Sequence, residues 1–276
     1  MKKHHLIAPL LCALIVLSCK KSGSSNNSSN SDVWLSSVSA IAPQTRAVDS
    51  FSYDSAHRVL KFAQYKWDTS GGSPAAGSEI ATFALPAGAS APPSSYTLTY
   101  NGNTDPHVLT YDGQGRISKD TSLSGSGFVV YFSYPNGNIA TTVLFDGSPL
   151  NNQIDTLFMS NGNISAAHIY LPNDAGTADS LEAAVKFGYS SNNNPAYHSA
   201  ISASIGPLLY ILQFDGYGGA LDPISQKALN SVSGLGDGLP GNSAITYNQT
   251  TDSKGRLSQM TTSFGPAAGY ILYSYY

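Results

Sequence analysis

The chain is expected to fold as an all-β domain: an antiparallel meander of hairpin repeats forming a large curved sheet or open barrel, with one short helix near the C-terminal third. Three observations point there. A turn instruction, Asp-x-x-Gly-Arg, recurs between segments of alternating apolar residues, at Asp112-Gln114-Gly115-Arg116 and Asp252-Lys254-Gly255-Arg256. Asn-Gly, the strongest short hairpin signal, joins apolar runs at Asn136-Gly137 and Asn161-Gly162. Glutamate occurs only at Glu79 and Glu182, while Gly, Ser, Asn, Thr and Tyr abound, so strand and turn chemistry dominates.

The cassette has a mechanism. Leu109, Tyr111, Ile117 and Lys119 alternate on either side of the turn, with the period of a strand. An aspartate at the first turn position accepts local backbone N–H groups, as Asp54, Asp112 and Asp252 would. A glycine after the turn accepts the left-handed backbone of a bulge, the role assigned to Gly115 and Gly255. In the third copy His57 stands at the glycine position, a residue that tolerates positive φ.

Along the chain, residues 1–18 read as a signal peptide. Lys2, Lys3, His4 and His5 precede an apolar run from Leu6 to Leu17, too short to span a bilayer as a mature helix. The run ends at Val16-Leu17-Ser18-Cys19-Lys20, which resembles a bacterial lipoprotein signal and implies cleavage before Cys19 and acylation there. Lys20, rather than Asp, after the lipid site favours the outer membrane by resemblance to Gram-negative lipoproteins. Cys12 would leave with the signal, so the folded domain would hold no disulfide. Residues 19–32 are a polar tether of Lys, Ser, Gly and Asn that cannot offset its chain entropy by burial and spans roughly 20 Å.

Residues 33–276 form the single β domain. Its strands are expected at Phe51–Trp67 (the first hairpin), Ile80–Leu85, Tyr96–Tyr100, the cassette at Leu109, Phe128–Tyr134 with Ile139–Phe145, and Ile154–Met159 with Ile164–Leu171. Leu181–Tyr189 and Tyr197–Ile205 suggest a further pair joined by Asn192-Asn193-Asn194-Pro195. Leu208–Phe214 is a strand or a buried turn of helix. Asp222-Pro223 suits a helix start, placing a short helix over Ile224–Val232 that covers the sheet. Ile245–Asn248, Arg256–Phe264 and Tyr270–Tyr276 return to strands. The last is apolar on both faces and is read as interior.

Tyr-Asp-x-x-Gly-Arg resembles the YD motif of RHS repeat proteins. The whole order of Cys19, polar tether, apolar Leu208–Pro240 segment and closing hairpin at Asp252–Phe264 is similar to uncharacterised lipoproteins of Bacteroidetes-type bacteria. That resemblance implies hairpin repeats and an envelope location, and brings no established activity.

Removing Lys2 and Lys3 leaves 12 basic against 17 acidic side chains, a net charge near −5, which argues against a nucleic-acid partner. No Gly-x-Ser-x-Gly elbow, His-Glu-x-x-His or phosphate loop is present. His57, His107, His168 and His198 read as surface or turn residues. The turn aspartates read as structural, and neither metal nor cofactor is expected. Arg58, Arg116 and Arg256 are expected to pack across neighbouring tyrosines. Ser55, Thr156 and Ser180 each follow an aspartate and precede a small or apolar residue, resembling a Bacteroidetes O-glycosylation signal. The expected function is a non-enzymatic, lipid-anchored module binding a glycan, peptide or partner protein through its tyrosines. A structural subunit of an outer-membrane complex and a hydrolase with a dispersed site are the alternatives.

Overall fold

The computed structural model describes residues 34–42, 45–68, 79–86, 91–100, 102–144, 152–172, 179–195, 197, 205–209, 225–235, 245–262 and 269–276. Sixteen strands run in chain order: β1 (Leu35–Ala42), β2 (Thr45–Tyr53), β3 (Val59–Asp68), β4 (Glu79–Ala84), β5 (Ser95–Tyr100), β6 (Asn103–Tyr111), β7 (Ile117–Ser122), β8 (Val129–Ser133), β9 (Ile139–Leu144), β10 (Asn152–Ser160), β11 (Asn163–Pro172), β12 (Asp179–Asn193), β13 (Lys227–Leu235), β14 (Ile245–Thr251), β15 (Leu257–Thr262) and β16 (Tyr270–Tyr275). Every strand pairs antiparallel with its neighbours in sequence, and β1 pairs with β16, so the meander closes into a barrel. The closing strand β16 is interior, as its two apolar faces suggested.

The expected turns are present. His57, Gly115 and Gly255 take φ of 59°, 76° and 74° in the three long cassettes, and Asn136-Gly137 and Asn161-Gly162 are likewise left-handed. Each long cassette is followed by a one-residue register shift, so that Tyr53, Tyr111 and Thr251 face Val59, Ile117 and Leu257. This is the bulge that a left-handed residue after a type I turn produces.

Two expectations are corrected. Residues 227–230 and 231–235 form β13 instead of a helix over 224–232, because Val232 and Leu229 pair with Phe187 and Tyr189 of β12. The short helical turn lies instead at 206–209, with Ile205, Leu208 and Leu209 fully buried. The partner of Leu181–Tyr189 is therefore β13 and not Tyr197–Ile205; β12 runs on through Asn193. Tyr197 is helical, and residues 198–204 lie outside the described residues.

Alternation sorts the walls. One inward row crosses Leu109, Asp120, Val130 and Val143; the next crosses Phe132, Thr141, Asp155 and Ile169. These residues are at most 8 % exposed. The outward row between them crosses Thr110, Lys119, Tyr131, Thr142 and Ile154. A sixteen-strand ring can enclose an aqueous channel. Here the inward rows are mainly apolar and buried in one continuous core, so they are closed to water.

Because the strands alternate in direction, the cassettes at Asp54, Asp112 and Asp252, both Asn-Gly turns, Trp34 and Tyr276 all fall at one end of the barrel, the cap end. The connection from β12 to β13 also lies at this end. It is stitched to the β10–β11 turn: Gln226 N–H donates to the Gly162 carbonyl at 3.0 Å, and Ile164 N–H to Ser225 Oγ at 2.9 Å.

Candidate functional site

The cap-end turns are built alike. Asp112 Oδ1 accepts the N–H groups of Gln114 and Arg116, both at 2.9 Å, while Oδ2 accepts Arg116 Nε at 2.8 Å. Asp54 holds Ala56 and Arg58 in the same way, and Asp252 holds Lys254 and Arg256. Each carboxylate is consumed by its own hairpin, so the three do not converge on a cation site. Among the described residues no group of three His, Cys, Asp or Glu side chains is placed to hold a metal.

A tyrosine latch accompanies the cassettes. Tyr53, Tyr134 and Tyr275 donate their hydroxyls to the carbonyls of Leu35, Ile117 and Leu257, at 2.7–2.8 Å. These acceptors are the first residues of β1, β7 and β15. Tyr111 reaches the Pro93 carbonyl, just before β5, at 2.6 Å. The guanidinium of Arg116 lies 4.0 Å over the Tyr134 ring, and that of Arg256 4.2 Å over Tyr275, as the sequence suggested. Arg58 also donates to the carbonyls of Pro86 and Ala91. Tyr134→Phe is expected to cost about 1 kcal/mol, the net worth of one hydrogen bond, read as a shift of the denaturant midpoint.

Burial raises the pKa of Tyr134 to about 12, with Arg116 lowering it and Asp112 raising it. Burial likewise raises Tyr111 and Tyr273, the latter with help from Tyr275 and Tyr247. In Asp54 and Asp252 burial opposes ionisation but is outweighed by bonds from Arg58 and Arg256; in Asp112 the Arg116 N–H leads, and all three carboxyls sit below their ordinary value. The signs are opposite. The aspartates contribute stability above the ordinary carboxylate value and lose it as pH falls through their lowered values. The tyrosines contribute fully below the ordinary value of 10 and lose it as pH rises through about 12. Unfolding midpoints measured against pH should fall at both extremes; a midpoint that holds to pH 12 would contradict the latch.

A second cluster lies inside the wall. His107 is only 2 % exposed, correcting its reading as a surface residue. Its Nδ1 lies 2.8 Å from Asp120 Oδ1, and the Tyr96 hydroxyl donates to Asp120 Oδ2 at 2.6 Å. Among the described residues His107 Nε2 has no hydrogen-bond partner, and Asp105 Oδ2 lies 3.4 Å from it. Ser122 Oγ donates to Asp105 and joins Ser124 and Ser126 in the β7–β8 loop. The signal was in the register: His107 lies two residues before Leu109, on the same inward face.

Of the other candidates, His57 is in its turn, stacked on Trp34. His168 is on the outer wall, with Phe158 and Tyr170 beside it. Ser55 is exposed in the first cassette and Thr156 points outward from β10. Ser180 lies in β12. Cys19 and His198 lie outside the described residues.

No family model and no curated protein matches the sequence. Among solved structures, the chain is similar to a porin-like protein from Bacteroides uniformis ATCC 8492, with 14 % identity, a TM-score of 0.52, and coverage of 88 % of this chain and 98 % of that one. A porin-like protein from Bacteroides vulgatus ATCC 8482 aligns with 11 % identity and a TM-score of 0.45, over 89 % of this chain and 99 % of that one. The likeness to the first is one of fold.

Proposed function

We propose that this is a lipid-anchored envelope protein of the outer membrane whose barrel stands in water as a non-enzymatic binding module, rather than crossing the bilayer as a pore. The carrying observation is the polarity of the wall. A membrane-spanning barrel turns apolar residues outward and keeps a polar lumen. Here Val130 and Phe132 point inward and are buried, while Lys119, Thr110 and Thr142 stand on the outer face. Charged side chains on a lipid face would be costly near the bilayer midplane. The lipobox at Cys19 and the polar tether support the envelope location.

The binding face best supported is the outer wall around Tyr131, which is 44 % exposed with Lys119 Nζ 5.3 Å over its ring. Exposed aromatic rings beside hydroxyls suit a sugar or peptide. Tyr53, Tyr111, Tyr134 and Tyr275 are committed to latches and Tyr96, Tyr247 and Tyr273 to the core, which narrows the lead to exposed rings such as Tyr131, Tyr100 and Tyr270.

The test is electrical. Mature protein added to planar bilayers is expected to give no stepwise conductance, while a glycan array or envelope pull-down gives a specific ligand that Tyr131→Ala loses. Reproducible single-channel steps would overturn the reading.

A further inference from the structure

We propose that the cap end of the barrel docks on the phospholipid headgroup layer of the membrane, so that the protein stands on its Asp–Arg collar. This rests on the lipid anchor proposed above and adds a second, non-covalent contact. Chain geometry is the first argument. Trp34 enters the barrel at the cap end, where the Tyr276 N–H donates to its carbonyl at 3.0 Å. Residues 20–33 separate it from Cys19, a stretch that spans about 20 Å if flexible. The opposite end lies one strand length away, roughly 30 Å along the ten residues of β3.

Surface chemistry is the second argument. The cap end carries the Trp34 ring stacked on His57 at 4.6 Å, Tyr276 at 63 % exposure, and Arg116 over Tyr134. Amphipathic rings and guanidinium groups are the side chains that settle at headgroup depth. Charge is the third. Among the described residues of the cap turns, Asp54, Asp112 and Asp252 are each paired with an arginine, which offsets their repulsion of a phosphate. The Arg116 side chain remains 42 % exposed, which leaves donors for a phosphodiester oxygen.

The two tryptophans give the test, because Trp34 precedes β1 at the cap end and Trp67 closes β3 at the other. Full-length acylated protein carrying Trp67→Phe or Trp34→Phe is reconstituted into phosphatidylcholine–phosphatidylglycerol vesicles containing lipids brominated near the headgroup. Trp34 emission is expected to fall by at least about half, as for a ring within the interfacial layer, with Trp67 emission unchanged. Arg116→Gln in the Trp67→Phe background should return much of the Trp34 emission. Equal quenching of both, or none, with protein retained through an alkaline carbonate wash would overturn the docking and leave the anchor standing. Quenching of Trp34 that also occurs without brominated lipid would mean contact between copies, and overturns it too. Loss of protein in the wash would overturn the anchor and the docking together.

Discussion

Asp120→Ala is expected to destabilise the barrel by about 2–5 kcal/mol, one of the two largest single-residue effects in the molecule. Asp120 is 1 % exposed and sits on the inward face of β7 between Leu109 and Val130. It accepts the Tyr96 hydroxyl at 2.6 Å and faces His107 Nδ1 at 2.8 Å. Alanine would leave the two groups buried with each other as partner, the Tyr96 hydroxyl lying 3.0 Å from His107 Nδ1, and would remove two bonds to a carboxylate worth about 1.5–3 kcal/mol each. Tyr96 and His107 are each 2 % exposed, so bulk water has little access to them. Asp120→Asn keeps the shape and one acceptor oxygen and should cost clearly less. Denaturant unfolding of the three proteins measures the difference; an alanine variant within about 0.5 kcal/mol of the parent, the range of a neutral surface change, would mean the network is not shielded.

Gly234→Ala should be as damaging, for a backbone reason. Gly234 pairs with Val185 across the β12–β13 ladder and has φ of 149°. An added methyl would lie 2.0 Å from the Ala184 carbonyl oxygen and 2.9 Å from Val185 Cα. Both are main-chain atoms of the neighbouring strand, so neither can swing aside as a flexible side chain would. A loss of about 3 kcal/mol or more is expected, with faster amide exchange along β12 and β13. Gly115→Ala is the control. Its φ of 76° is strained for alanine, but nothing lies within 4 Å of the added methyl, so only about 1–2 kcal/mol is at stake. Equal stabilities for Gly234→Ala and Gly115→Ala would contradict the close approach of β12 and β13.

What the sequence disclosed was local. Asp112, Gly115, Gly137, Gly162, Asp252 and Gly255 each encode a chain reversal by their own backbone and side-chain chemistry, and all fall in one. Strand parity is legible only as far as the bulge: Leu109, Tyr111 and Ile117 share the inward side, but Lys119, expected to alternate with them, is turned outward by the extra residue Ser118. Closure was not. It depends on β1 meeting β16 over more than two hundred residues of chain, and no local signal encodes that pairing. The segment at 224–232 has the local signature of a helix because Asp222-Pro223 is a good helix start, while the decisive contacts of Leu229 and Val232 with β12 are tertiary. The latch escaped because its acceptors are backbone carbonyls, which carry no residue identity. The His107 cluster is not encoded by the histidine alone; it follows only from the inward row that His107 shares with Leu109.

The polarity of the wall is tested most directly on two consecutive residues of β8. Val130 is fully buried and Tyr131 is 44 % exposed on the opposite face. Single cysteines placed at each, in full-length protein held in native membranes, can be exposed to a charged, membrane-impermeant maleimide. The account predicts rapid labelling of Tyr131→Cys and protection of Val130→Cys until the protein is unfolded. Labelling of Val130→Cys with protection of Tyr131→Cys would describe a water-filled lumen inside a lipid-facing wall, and would contradict it.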